Sequence, residues 1–115
     1  MLSRDSGMEC NMNDELAQID ADLKGLLMED KIEEMNELLK EQPDSVIKEI
    51  SECNWNIVKK YYETECFELL FRHFTFVAYT CFLIEYEYRE GLINNEIYET
   101  TMGIFNALYD KRRQQ

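Results

Sequence analysis

Glycine and proline are missing from Asp44 to Glu90, and His73 is the only histidine in 115 residues. The first absence removes the residues that interrupt helices, and the second excludes a multi-histidine metal site. No GxSxG, HExxH or glycine-rich phosphate loop occurs, so hydrolytic, zinc-protease and nucleotide chemistry find no motif to rest on. His73 has Leu69 and Val77 four residues away on either side. With no acid or thiol at that helical spacing it reads as a packed or partly exposed core histidine and not a catalytic one. Acids are plentiful, but acids on helix surfaces are the solvated default. No catalytic residue is named, no enzyme activity is expected, and neither metal nor cofactor is implied.

The chain also lacks paired cysteines. Cys10, Cys53, Cys66 and Cys81 form no CxxC, and three of them fall in apolar helical patterns, which implies buried, reduced thiols and a reducing compartment. The N-terminal LSRDSGMECNMND is polar, without the apolar core of a signal peptide. A cytoplasmic protein is therefore expected. From His73 to Ile84 no residue carries a formal charge, but Arg72 and Glu68 precede that run and Glu85, Glu87, Arg89 and Glu90 follow it. A span needs about 20 apolar residues, so no membrane partner is expected.

Base is scarce too: 24 acids face 12 Lys and Arg, for a net charge of −12. Residues 1–42 hold 12 acids and 4 bases, residues 43–90 hold 9 and 5, and residues 91–115 hold 3 and 3. An acidic N-terminal third repels nucleic acid and attracts basic protein surfaces.

What is present is helical periodicity. The most apolar stretch, Cys66 to Glu90, places Phe67, Leu70, Phe71, Phe74, Val77, Ala78, Cys81, Ile84 and Tyr88 at offsets of three and four. Aromatic and β-branched residues between Phe74 and Ile84 would also suit a strand, but length and the lack of turn residues favour a helix. Phe76, Tyr79, Phe82 and Leu83 on its other sides make it apolar nearly all round, which predicts a helix buried among others.

The remaining segments follow the same rule. Residues 1–12 read as an untethered tail and residues 13–115 as one helical domain. Asn13 caps a first helix with the face Leu16, Ile19, Leu23, Leu26 and Leu27. Asp30 with Glu33 resembles a capping box and marks a break near Met28. Segment 30–41 buries Ile32, Met35, Leu38 and Leu39, and Pro43 ends it, with Asp44 or Ser45 capping the next helix. Its face is Val46, Ile47, Ile50, Cys53, Ile57, Val58 and Tyr61. A bend is placed at residues 63–65, where Thr64 would cap. Gly91 is the expected C-cap of the central helix, and Asn94 or Asn95 starts the last one, whose face is Ile97, Thr101, Ile104, Phe105 and Leu108. The predicted fold is all-α, a bundle of four or five helices around residues 66–90.

Asp20, Asp22, Gly25 and Leu27 match four positions of a calcium loop. Lys24 and Lys31 stand where its fifth and twelfth ligands belong, which rules the loop out. The feature best suited to binding is the acidic stripe Asp30, Glu33, Glu34, Glu37 and Glu41. Five carboxylates over about eleven residues at ~1.5 Å rise give one charge per roughly 3 Å, close to the ~3.4 Å along one DNA strand. The implied role is a small interaction protein, such as an inhibitor, antitoxin, immunity or regulatory protein of a phage or mobile element, acting on a basic surface of a protein partner. The alternatives are a structural subunit of a larger complex, or a nucleic-acid-binding regulator using Lys111, Arg112 and Arg113. Net charge opposes the second. Excess aromatic surface at Phe76, Tyr79, Phe82 and Tyr86 predicts a homodimer.

Overall fold

Most helix ends among the described residues follow from local chemistry, through an asparagine cap, a proline or a Schellman turn. A computed structural model describes residues 12–114, so the tail expected over residues 1–12 lies outside the described residues except for Met12. Six helices and no strand occur among the described residues: α1 (Asp14–Met28), α2 (Ile32–Glu41), α3 (Asp44–Glu63), α4 (Phe67–Arg72), α5 (Phe74–Arg89) and α6 (Asn95–Arg113). The chain packs as two compact units, Met1–Ile57 and Val58–Gln115.

In the first unit the Asn13 side chain accepts the Leu16 N–H at 2.8 Å and so starts α1. The break near Met28 is real, but Asp30 is not the cap of α2. It sits in the left-handed region at φ 62°. The Asp30 N–H reaches the Leu27 carbonyl and the Lys31 N–H the Leu26 carbonyl, which is the Schellman ending of a helix. Lys31 precedes α2 without a side-chain cap. Gln42, at φ −91° and ψ 144°, is extended because the ring of Pro43 disfavours helical geometry there. The Pro43 carbonyl takes the first bonds of α3 from Val46 and Ile47, so Asp44 is the first helical residue and not its cap. α1 and α2 pack on each other. Leu16, Leu23, Met35, Leu39, Ile47 and Ile50 are buried.

Inside this unit lies a polar contact that apolar periodicity does not reveal. Asp20 is 5% exposed and Asn54 fully buried. Asn54 Nδ2 donates to Asp20 Oδ1 at 3.1 Å and to the Ile50 carbonyl at 2.8 Å. Lys24 pairs with the same carboxylate at 3.0 Å. Asp20, which the sequence places first in a failed calcium loop, thus joins α1 to α3.

In the second unit α3 ends at the expected bend. The Thr64 hydroxyl donates back to the Lys60 carbonyl at 2.9 Å and so closes α3 instead of opening α4. Glu65 takes φ 59°, and bonds from Glu65 to Tyr62 and from Cys66 to Tyr61 complete a second Schellman ending. Gly91, at φ 76°, makes the third, with Gly91 bonded to Tyr88 and Leu92 to Glu87. Asn94 caps α6 by accepting the Ile97 N–H at 2.8 Å.

The long helix expected over 66–90 is broken. His73 at φ −113° and ψ 45° separates α4 from α5, and its N–H is shared between the Leu69 and Leu70 carbonyls. The buried side of α5 also differs from the predicted stripe. Val77, Tyr79, Thr80, Leu83, Ile84, Tyr86 and Glu87 are buried, and at ~100° per residue they fill about half the circumference. Ala78 and Cys81 lie on the opposite half and are only half-buried, and Tyr88 there is exposed. Because the helix is apolar nearly all round, counting apolar residues could not choose the side. On α6, Thr101, Phe105 and Leu108 are buried while Ile97 is 48% exposed.

The thiols depart from expectation as well. Cys53 and Cys81 are half-buried and Cys66 is exposed, and all three are free. Cys10 lies outside the described residues.

Candidate protein-interaction surface

Helix α2 separates its two kinds of residue cleanly. Met35 and Leu39 are buried, and at ~100° per residue Glu33, Glu37, Glu41 and Glu34 fall within an arc of about 100° on the other side. All four are exposed, as is Asp30. The predicted binding residues therefore share one outward face, continued through the turn by Asp30. Left-handed geometry at Asp30 and the exposed first turn of α2 frame a shallow open depression of about 280 Å³, lined by Asp30, Lys31, Ile32, Glu33 and Glu34.

Two cations border this face: Lys40, exposed in the last turn of α2 and within about 20° of the arc, reduces its net charge, and Lys31 lies at its N-terminal end. Lys31 pairs with Glu29 at 3.2 Å, outside the arc. Its ammonium is held above the usual lysine range by a hydrogen bond to Glu29, then by the charges of Glu29 and Glu34. Two i,i+4 pairs of like charge, Glu33 with Glu37 and Glu37 with Glu41, run along the helix. Such pairs destabilise a helix by a few tenths of a kcal/mol each, so the arc is held against local helix stability.

The residues assigned to self-association do not form one surface. Tyr79 is 0% and Tyr86 6% exposed, so neither side chain is offered to a second copy. Phe76 and Phe82 are half-buried. Phe82 lines an open cleft of about 220 Å³ with Ala78, Cys81, Glu85, Arg89 and Tyr109. Burial raises the Cys81 thiol to about 11, with Glu85 adding to the rise and a hydrogen bond from Tyr109 opposing it. A thiol so raised stays protonated at neutral pH and is a poor nucleophile. Burial, followed by the neighbouring Cys81, raises Tyr109 in turn. The cleft was not singled out in the sequence, although residues 78, 81, 82, 85 and 89 share helical spacing.

His73 is exposed at the α4–α5 junction and is not a core residue. Among the described residues no group of three or more His, Cys, Asp or Glu side chains is disposed to hold a metal ion. None of the helices is long and apolar enough to cross a membrane. Compared with protein-family models, curated proteins and solved structures, the chain finds no match in any of the three.

Proposed function

We propose that this chain is a small protein-binding module whose α2 face engages a basic surface of a partner protein, in the manner of an inhibitor, antitoxin, immunity or regulatory protein. One observation carries the reading: Glu33, Glu34, Glu37 and Glu41 are all exposed on one side of a helix anchored by Met35 and Leu39, with Asp30 exposed in the turn before it. A rigid helix presenting fixed carboxylates speeds encounter with a cationic patch and orients it. The same reading takes α1, which packs on α2, as the scaffold for that face.

The test is capture of the partner by the full chain, followed by binding at low and at moderate salt. Changing Glu33, Glu34 and Glu37 together to Lys is expected to weaken binding at least ten-fold at low salt, since each close charge pair contributes ~1.5 kcal/mol or more across such interfaces. Folding should change little, because exposed charges contribute under about 1 kcal/mol each. Unchanged affinity at low salt would reduce the α2 face to a solvated surface.

A further inference from the structure

One face of the second unit stays half-covered by its own chain. Phe67 stacks on Phe71 at 6.4 Å between centroids, Phe71 lies 6.5 Å from Phe74, and Phe74 meets Tyr109 of α6 edge-on at 5.0 Å. All four rings are half-buried, and together they form a ridge. Arg112, exposed in the last turn of α6, lies over its Phe74 end with the guanidinium 4.4 Å from the ring centre. Aromatic residues and arginine are the types enriched where proteins meet.

Beside the ridge is a hollow. Tyr109 also lines the open cleft of about 220 Å³, with Ala78, Phe82 and Glu85 on its α5 side. At ~100° per residue Phe74, Ala78, Phe82 and Glu85 fall within an arc of about 80° on the outward half of α5. Ridge and cleft are therefore one continuous face, with a guanidinium on the ridge and a carboxylate in the cleft. Among the described residues neither Arg112 nor Glu85 is ion-paired within the chain. Arg89, which could have paired with Glu85 one turn away, lies instead over the Tyr86 ring at 5.9 Å.

A face that carries both a knob and a hollow, with opposite charge on the two, is complementary to itself under two-fold rotation. Ala78, the smallest side chain of the arc, marks its centre: Phe74 and Phe82 stand four residues to either side, and Phe71 and Glu85 seven. A two-fold axis at Ala78 runs two α5 helices antiparallel and sets Phe74 of each copy against Phe82 of the other. Phe71 and Arg112 of each copy then come over Glu85 of the other. We propose that a second copy of this chain covers the face, as a symmetric homodimer in which each ridge of rings seats in the other's cleft. Of the residues that the sequence assigns to self-association, only Phe82 belongs to this face. The interface uses no residue of α2, so its failure would leave the acidic-surface reading untouched.

Sedimentation equilibrium of the full chain tests it, from about 1 to about 100 µM in ~0.15 M salt, where the net charge of −12 is screened beyond about 8 Å. A monomer–dimer equilibrium is expected. Glu85→Arg alone, or Arg112→Glu alone, sets like charges against each other at both ends of the interface and should weaken the dimer at least ten-fold. An equimolar mixture of the two variants restores opposite charges at both ends and should recover the dimer. Far-ultraviolet spectra of both variants are expected to match that of the unaltered protein, since the two substitutions lie on the outward side. A single species of monomer mass across the whole range overturns the proposal and leaves the face to a different protein. A dimer that survives both charge reversals overturns it as well, and so do reversals whose mixture stays monomeric.

Discussion

Three helices end on a residue in the left-handed region, and only Gly91 of the three is glycine. Asp30 and Glu65 occupy the same position at φ 62° and 59°, where a side chain costs roughly 1–2 kcal/mol. Glu65→Gly is therefore expected to stabilise the protein by about 0.5–1 kcal/mol, the penalty less the added freedom of an unfolded glycine. Gly91→Ala should destabilise by about 1 kcal/mol on conformation alone, since a Cβ there meets nothing within 4 Å. Thermal melts of the two variants should move in opposite directions, and a shift of the same sign in both would contradict this account. Cys81 supplies a pH dependence. Its folded value of about 11 lies above the ordinary 9.0, so the folded state keeps a proton that the unfolded chain releases. The resulting stability is complete below about pH 9 and declines as pH rises toward 11. Urea melts between those limits should show the decline, and Cys81→Ala should lessen it.

At the scale of elements, α1 and α3 are tied by a contact that neither helix announces. Asn54→Ala removes one donor to the buried Asp20 carboxylate, which keeps Lys24 as a partner, and is expected to cost about 0.5–1.5 kcal/mol. The Asn54 Oδ1 atom has no partner, so deleting it offsets part of that loss and places the result toward the lower end. A urea midpoint equal to that of the unaltered protein would show the pair to be incidental. Helix α2 gives the converse case. Glu37→Lys replaces two like-charge i,i+4 pairs by attractive ones and should raise stability by a few tenths of a kcal/mol, while weakening the proposed partner contact. Gain in melting temperature with loss of affinity is the signature expected of a face retained for binding. Loss of both would mean that the glutamates support the fold.

For the whole molecule, charge is the dominant fact. Residues 1–57 carry 15 acids against 5 bases, and residues 58–115 carry 9 against 7. Raising ionic strength from 0.01 to 0.15 M shortens the screening length from about 30 to about 8 Å, which weakens self-repulsion more than it weakens close pairs such as Asp20 with Lys24. The melting temperature should therefore rise with salt over that range. A fall would show that attractive pairs outweigh the net charge of −12.

The all-α class, the Asn13 cap, the proline stop and the glycine ending at residue 91 were determined by sequence alone, and the cap of α6 was narrowed to Asn94 or Asn95, because each depends on groups within four or five residues of one another. The five acids of α2 were legible as one stripe for the same reason. Tertiary structure alone decided which half of α5 is buried, since a helix apolar on all sides offers its period no contrast. It also decided the break at His73, the left-handed turns at Asp30 and Glu65, and the removal of Tyr79 and Tyr86 from the surface. The turns at Asp30 and Glu65 complete local Schellman bonds at a side-chain cost, whereas no local preference asks for the other two. A carboxylate enters a core beside Asn54 only where packing of distant segments outweighs the local cost of desolvating it.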